Sequence, residues 1–224
     1  MNFHNLIQIA GVRGLAEAEM LLREGVACLG FPLRLAVHRE DLEEADAAAL
    51  VRRLPRGVDS VLITYLDRAG ETAAFADALG VTAVQLHGPI TAAEFAALRR
   101  MRPGLALIKS LVVRPGNLPE LKADAERFAP WADAFITDTF DPATGACGAT
   151  GKTHDWAISR ELVRCSQRPV ILAGGLTPDN VAEAIAAVRP AGVDVHTGVE
   201  DASGGKDPAL VRRFVDRARD GFGR

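Results

Sequence analysis

Apolar residues along the chain fall in short unbroken runs, each followed by a longer stretch in which alanine, leucine and charged residues alternate at helical spacing. The runs are LIQIA (6–10), VACLGF (26–31), VDSVLITY (58–65), TAVQLH (82–87), LALIKSL (105–111), DAFITD (133–138), PVILAGG (169–175) and VDVHTG (193–198). Runs that are continuous rather than alternating fit parallel strands buried on both faces. The intervening stretches, such as LAEAEMLLREG, TAAEFAALRRM and NVAEAIAAV, read as amphipathic helices, and a last helix falls near 207–220. Gly25, Gly80 and Gly104 stand where helices should end or strands begin, as C-terminal caps do.

Eight strand–helix units in 224 residues close naturally as an α/β fold, a single (βα)8 TIM barrel over residues 1–224. A doubly wound open sheet would use fewer strands and a switch point. In the barrel, chemistry belongs at the strand tips, which are Ala10, the segment after Phe31, Gln85–His87, Lys109, Asp138, Gly174–Gly175 and His196–Gly198.

Composition narrows this without redirecting it. Hydrophobic residues make up 48%, enough for a core without staples, and the formal net charge of -3 calls for neither nucleic acid nor a membrane surface as partner. Cys28, Cys147 and Cys165 are odd in number and far apart, so they read as reduced thiols. The N-terminal MNFHNLIQIA lacks the pattern of a secretory signal, and no apolar run approaches the roughly 20 residues of a membrane span. A cytoplasmic protein, monomer or homodimer, is expected. No clustered ligand spacing indicates a metal, and no cofactor is expected.

The seventh unit, ILAGGLTPDNVAEAI, ends a strand in two glycines, with Thr177 as a possible helix cap and Pro178 at the first helical position. The eighth ends in HTGVE. Paired loops after strands seven and eight are the usual phosphate site of this barrel, which makes Gly174, Gly175, Thr197 and Gly198 candidate phosphate ligands. A Gly-Lys-Thr in GACGATGKTHDW imitates a P-loop, but the glycine required five positions before Gly151 is Ala146. The segment Thr139–Asp155 reads better as a loop over an active site.

VQLHG (84–88), ITDT with GATGKTHDW (136–139, 148–156), ILAGGLTPDNV (171–181) and VDVHTGVE with GKD (193–200, 205–207) together resemble the phosphoribosylanthranilate isomerase family. The resemblance implies an Amadori rearrangement of a small phosphorylated substrate. An acid opens the furanose ring, and a base removes the proton from the neighbouring sugar carbon. The family's acid, the aspartate of L-L-D-T, matches Asp138. Its base, the cysteine of K-I-C-G-I, falls on Ala10, and the lysine of that motif falls on Gln8. Its substrate-anchoring arginine matches Arg39. Asp194 is assigned to substrate binding by the same resemblance, and His87 matches a family residue that would line the aromatic end of the pocket, although a satisfied structural histidine fits that position at least as well.

A methyl group accepts no proton, and a general base is worth two to four orders of magnitude in rate. His196 stands where the family carries a small polar residue. An imidazole there could replace the base, bind an anionic group, or simply bond a neighbouring loop. Cys28, one strand from Ala10, could relocate the thiol if it faced the mouth, but packing is the plainer reading. Lys109 could form a Schiff base at a strand tip, although structural pairing fits better. His38 reads as solvated, and His4 lies at the far end of the barrel. The sequence thus leaves three readings: an isomerase with a substitute base, a diverged enzyme acting on another phosphorylated substrate, or a phosphosugar-binding protein without turnover.

Overall fold

A computed structural model describes residues 1–35, 40–139 and 153–223. Eight strands and eight helices alternate: β1 (Leu6–Ala10), α1 (Leu15–Arg23), β2 (Cys28–Pro32), α2 (Glu44–Val51), β3 (Asp59–Thr64), α3 (Ala69–Leu79), β4 (Ala83–Leu86), α4 (Ala92–Met101), β5 (Ala106–Val113), α5 (Leu118–Phe128), β6 (Ala134–Thr139), α6 (Trp156–Cys165), β7 (Val170–Leu172), α7 (Val181–Val188), β8 (Gly192–Val195) and α8 (Pro208–Phe222). Each strand pairs in parallel with the next, and β8 closes on β1. None of the described helices is long and apolar enough to cross a membrane.

Alternation along the strands sorts two cores. Leu6, Ala10, Cys28, Val61, Ile63, Ala83, Ile108, Ala134, Ile136, Ile171 and Ala173 fill the barrel interior. Their sequence neighbours, such as Ile9, Leu29, Leu62, Leu107, Phe135, Leu172 and Val193, pack against the helices in a separate and larger layer. Strands buried on both faces need apolar residues at both parities, which is why the runs are continuous.

Helix ends follow local chemistry. Thr91, Asp155 and Asp207 cap α4, α6 and α8 with side-chain oxygens that accept backbone N–H bonds. Gly80 ends α3 in the left-handed conformation. Gly25 also has a positive φ, whereas Gly104 lies in the turn before β5 without one.

The last strands are shorter than the apolar runs imply. β7 ends at Leu172 and β8 at Val195, and Thr197–Val199 forms a single 3-10 turn. Thr177 does not cap α7, and Pro178 does not begin it. That helix starts three residues later, at Val181, after a turn in which Asn180 N–H and Val181 N–H both donate to Thr177 O.

Candidate active site at the barrel mouth

Buried polar residues take inward positions toward the carboxyl ends of β4, β5, β6 and β8 (Gln85, Ser110, Asp138 and Asp194), whereas Ala10, Ile63 and Ala173 are apolar. Asp138, Gly174, Gly175, Asp194, His196, Thr197 and Gly198 line one cleft. Seven of the ten named site positions therefore converge at the ends of β6, β7 and β8. His87 stands just beyond β4, and Arg39 lies outside the described residues.

Asp138 is an inward residue of β6, only 8% exposed. One carboxylate oxygen, Oδ1, accepts the Thr139 N–H at 2.7 Å. Burial, with the nearby Asp194 charge adding to it, pushes its pKa up to about 7 against this one bond. A carboxyl group that keeps its proton close to neutrality can deliver it to a substrate oxygen.

Asp194 is inward on β8 and equally buried. Burial raises its pKa to about 6, opposed by a hydrogen bond from Gln8 and by the charges of His196 and Lys206. Its Oδ1 is buried with no hydrogen-bond partner; among the described residues, only Trp156 Nε1 shares that condition. An orphaned buried polar atom costs roughly 1–3 kcal/mol, and such atoms in native folds need an account.

The floor of the site is a polar chain threaded across the barrel. Gln8, fully buried and the register partner of Asp194, donates to Gln85 Oε1 at 3.4 Å. Gln85 Nε2 donates to Ser110 Oγ at 3.3 Å, and Ser110 Oγ meets His87 Nδ1 at 2.9 Å. The His87 ring also packs edge-on against Tyr65, with centroids 5.0 Å apart. Cys28 Sγ donates to Gln8 Oε1 at 3.4 Å. This thiol pairs in register with Gln8, one layer below Ala10, and burial holds its pKa well above the usual thiol value. It is packed, as expected, and does not relocate the missing cysteine to the mouth.

At the tip of β1 the Ala10 methyl meets Gly30 across the register. A side chain on Gly30 would strike Ala10 and Ile63 Cδ1. Gly11 follows with a positive φ, and the His196 imidazole lies so close over it that a Cβ there would overlap the ring. His196 Nε2 is 3.3 Å from Glu200 and 3.5 Å from Asp41. Burial alone would raise the Asp41 pKa, but the His196 hydrogen bond and the charges of His196, Lys206 and Arg13 outweigh it and hold Asp41 below the usual carboxylate value. Lys206 Nζ, fully buried, bonds Glu200 at 2.6 Å and His196 O at 3.0 Å. The G-K-D stretch therefore does structural work: its lysine anchors the loop after β8, and its aspartate caps α8.

The loops after β7 and β8 pack closely against each other, with Gly198 set against the backbone of Leu176. Gly174 and Gly175 both have positive φ, which favours glycine. A Cβ on Gly174 would overlap Thr139 Oγ1, and one on Gly198 would overlap Leu176 O. Asn180 clamps the turn, donating to Gly175 O at 3.0 Å and accepting from Thr177 N–H at 2.8 Å. Sequence reasoning passed over Asn180, although the spacing G-L-T-P-D-N is that of a loop closed by its own amide side chain. It also passed over His154, which bridges Thr139 Oγ1 (2.9 Å) and Ser159 Oγ (2.6 Å). Burial pushes the His154 pKa down to about 4, so the ring is neutral and ties the start of α6 to β6.

Lys109 corrects the alternative read from the sequence. It shares parity with Leu107 and Leu111 and points outward into the helix layer, with Nζ 5.8 Å from the Phe128 ring centre. The ammonium is bonded to Leu86 O, Gly88 O and Ser110 O. It therefore cannot meet a substrate in the mouth; instead it fixes the turn that carries His87. His4 lines a cavity at the opposite end of the barrel.

A family model for N-(5'phosphoribosyl)anthranilate (PRA) isomerase matches residues 41–217. N-(5'-phosphoribosyl)anthranilate isomerase 2 of Methanosarcina mazei is 39% identical over 218 residues, covering 96% of this chain and 95% of that protein. The N-(5'-phosphoribosyl)anthranilate isomerase of Desulforudis audaxviator is 39% identical over 216 residues, covering 96% and 98%. The crystal structure of phosphoribosyl anthranilate isomerase from Thermotoga maritima matches with a TM-score of 0.81 at 26% identity, covering 96% of this chain and 99% of that one.

Proposed function

Since the chain belongs to the N-(5'-phosphoribosyl)anthranilate isomerase family, we propose that it isomerises an N-(5-phosphoribosyl) arylamine to the corresponding amino-ketose without the thiol base. Asp138 is the general acid. Its proton passes to the furanose ring oxygen as the C1–O bond breaks, and the amine nitrogen becomes an iminium. The phosphate docks on the loops of Gly174, Gly175, Thr197 and Gly198, which line the cleft beside Asp138 and leave no room for a side chain at Gly174 or Gly198. Arg39 and His87 are assigned to binding the remainder of the substrate in this reading. The proton acceptor comes from β8, whose Asp194 pairs in register with Gln8 two residues before the tip vacated at Ala10.

The observation that carries this reading is a buried aspartic acid, protonated near neutrality, in one cleft with two glycine loops after the seventh and eighth strands. Retention of a costly buried acid argues for turnover rather than passive binding. A second reading, in which the barrel takes a different phosphorylated substrate, draws on Ala10 and Gln8, since both positions depart from the family motif.

Complementation of a strain lacking the tryptophan-pathway isomerase tests both. Growth with the natural sequence supports the proposal. Growth only with Ala10→Cys sinks the claim that β8 supplies a base while leaving the pocket intact. Growth with neither favours the different substrate.

A further inference from the structure

We propose that Asp194, and not His196, is the group that takes the proton from C2 of the ribosyl chain. This rests on the isomerase reading above and names the base within it. Two geometric facts separate the candidates. The Asp194 Oδ1 is buried, has no hydrogen-bond partner, and belongs to a side chain lining the same cleft as Asp138. His196, by contrast, has its Nε2 turned to Asp41 and Glu200, its ring laid against Gly11, and its carbonyl bonded by Lys206. A base needs an uncommitted lone pair; Asp194 has one on a side chain that lines the cleft, and His196 is a link in a charge cluster that shapes the loop.

The surroundings of Asp194 fit the role. Gln8, its register partner, bonds the carboxylate through a neutral amide. The family motif has lysine at this position. A lysine would pin the carboxylate in a tight ion pair and lower its basicity, whereas glutamine leaves it free to accept a proton. The other groups facing Asp194 are Asp138 across the cleft from β6, Cys28 from β2, and the charges of His196 and Lys206.

The step balances without a co-reactant. Asp138–OH gives its proton to the ring oxygen, and the C1–O bond pair goes to that oxygen. Asp194 carboxylate then takes the C2 proton, the C–H pair forms the C1–C2 double bond, and the C=N pair returns to nitrogen as the enolamine. The enol hydroxyl then gives its proton to the Asp138 carboxylate as C2 becomes the ketone, and Asp194 returns its proton to C1, so C2 is oxidised, C1 is reduced, both aspartates are restored, and no electron leaves the substrate.

The test compares Asp194→Asn and His196→Gln with the natural protein, using N-(5-phosphoribosyl)anthranilate carrying hydrogen or deuterium at C2. Activity of the natural protein is measured first; its absence would overturn the isomerase reading itself. Given activity, Asp194→Asn is expected to lose roughly 10²- to 10⁴-fold in kcat with little change in KM. His196→Gln should retain kcat within about tenfold, as expected of a loop-positioning residue, and keep the deuterium effect of the natural protein. Asp194→Glu, which keeps a carboxylate, should recover part of the rate and show an increased deuterium effect. The proposal is overturned if Asp194→Asn stays within tenfold of the natural kcat, or if His196→Gln alone abolishes turnover.

Discussion

Replacing Asp138 with asparagine removes a titrating group while keeping its shape and its Oδ1 acceptor for the Thr139 N–H. The carboxyl pKa is about 7 in the folded chain against 3.8 for an ordinary aspartate. A raised carboxylate pKa means the folded state holds a proton that the unfolded state has released, so stability is full below pH 4 and declines as the pH rises to 7. With about 1.4 kcal/mol for each pKa unit, the full cost above pH 7 is on the order of 4 kcal/mol. Roughly 1.5 kcal/mol of it is already incurred by pH 5. Asp194, raised to about 6, declines in the same direction over pH 4 to 6. Asp138→Asn should therefore be more stable than the natural chain at pH 8, and the gap should widen by about 2–3 kcal/mol between pH 5 and pH 8. Guanidinium unfolding at the two pH values measures it. A marginally stable domain has only about 5–15 kcal/mol to lose, so the difference is readable. The same variant should lose two to four orders of magnitude in turnover. A gap that does not grow with pH, or an asparagine variant less stable than the natural chain at pH 8, would refute the reasoning that Asp138 is a desolvated acid kept at a cost.

Other expectations follow from the same contacts. Gly11→Ala should lower stability by about 1 kcal/mol or more, through its left-handed backbone and the collision with His196; a melting temperature unchanged within error would contradict the placement of that ring. Lys206→Met strands Glu200 beside Asp41, and loss of one partner of a buried pair costs about 3–5 kcal/mol; an unfolding midpoint shift equivalent to less than 1 kcal/mol would count against the cluster. Borohydride reduction in the presence of ribose 5-phosphate should leave Lys109 unmodified by mass spectrometry, because its amine is held in the helix layer; a covalent adduct on that residue would reverse its assignment.

The barrel was legible because burial on both faces writes itself into the sequence as unbroken apolar runs, and the repeat count then closes the sheet. The position of Asp138 and of the glycine loops at the mouth was legible because each falls at the end of an apolar strand run. Less could be read where a contact depends on three-dimensional parity rather than spacing. Lys109 sits in an apolar strand, and only the register shows that it faces the helices. Cys28 lies beside β1, yet pairs with Gln8 instead of Ala10. Asp41 and Glu200 reach His196 from different loops, a meeting that no local pattern announces. Asn180 and His154 do their work on loop backbone and on a neighbouring strand end, which made them look like ordinary turn and loop residues.

The account turns on whether two aspartates, with no thiol at Ala10, carry out the proton transfers. The pH dependence of kcat/KM for the natural chain on N-(5-phosphoribosyl)anthranilate tests this most directly. An ionised Asp194 and a protonated Asp138 are needed together, so the profile should be a narrow bell with its maximum between the values of about 6 and about 7 held by the two groups. Turnover that appears only in Ala10→Cys, or a profile that rises without a limb above pH 7, would contradict it.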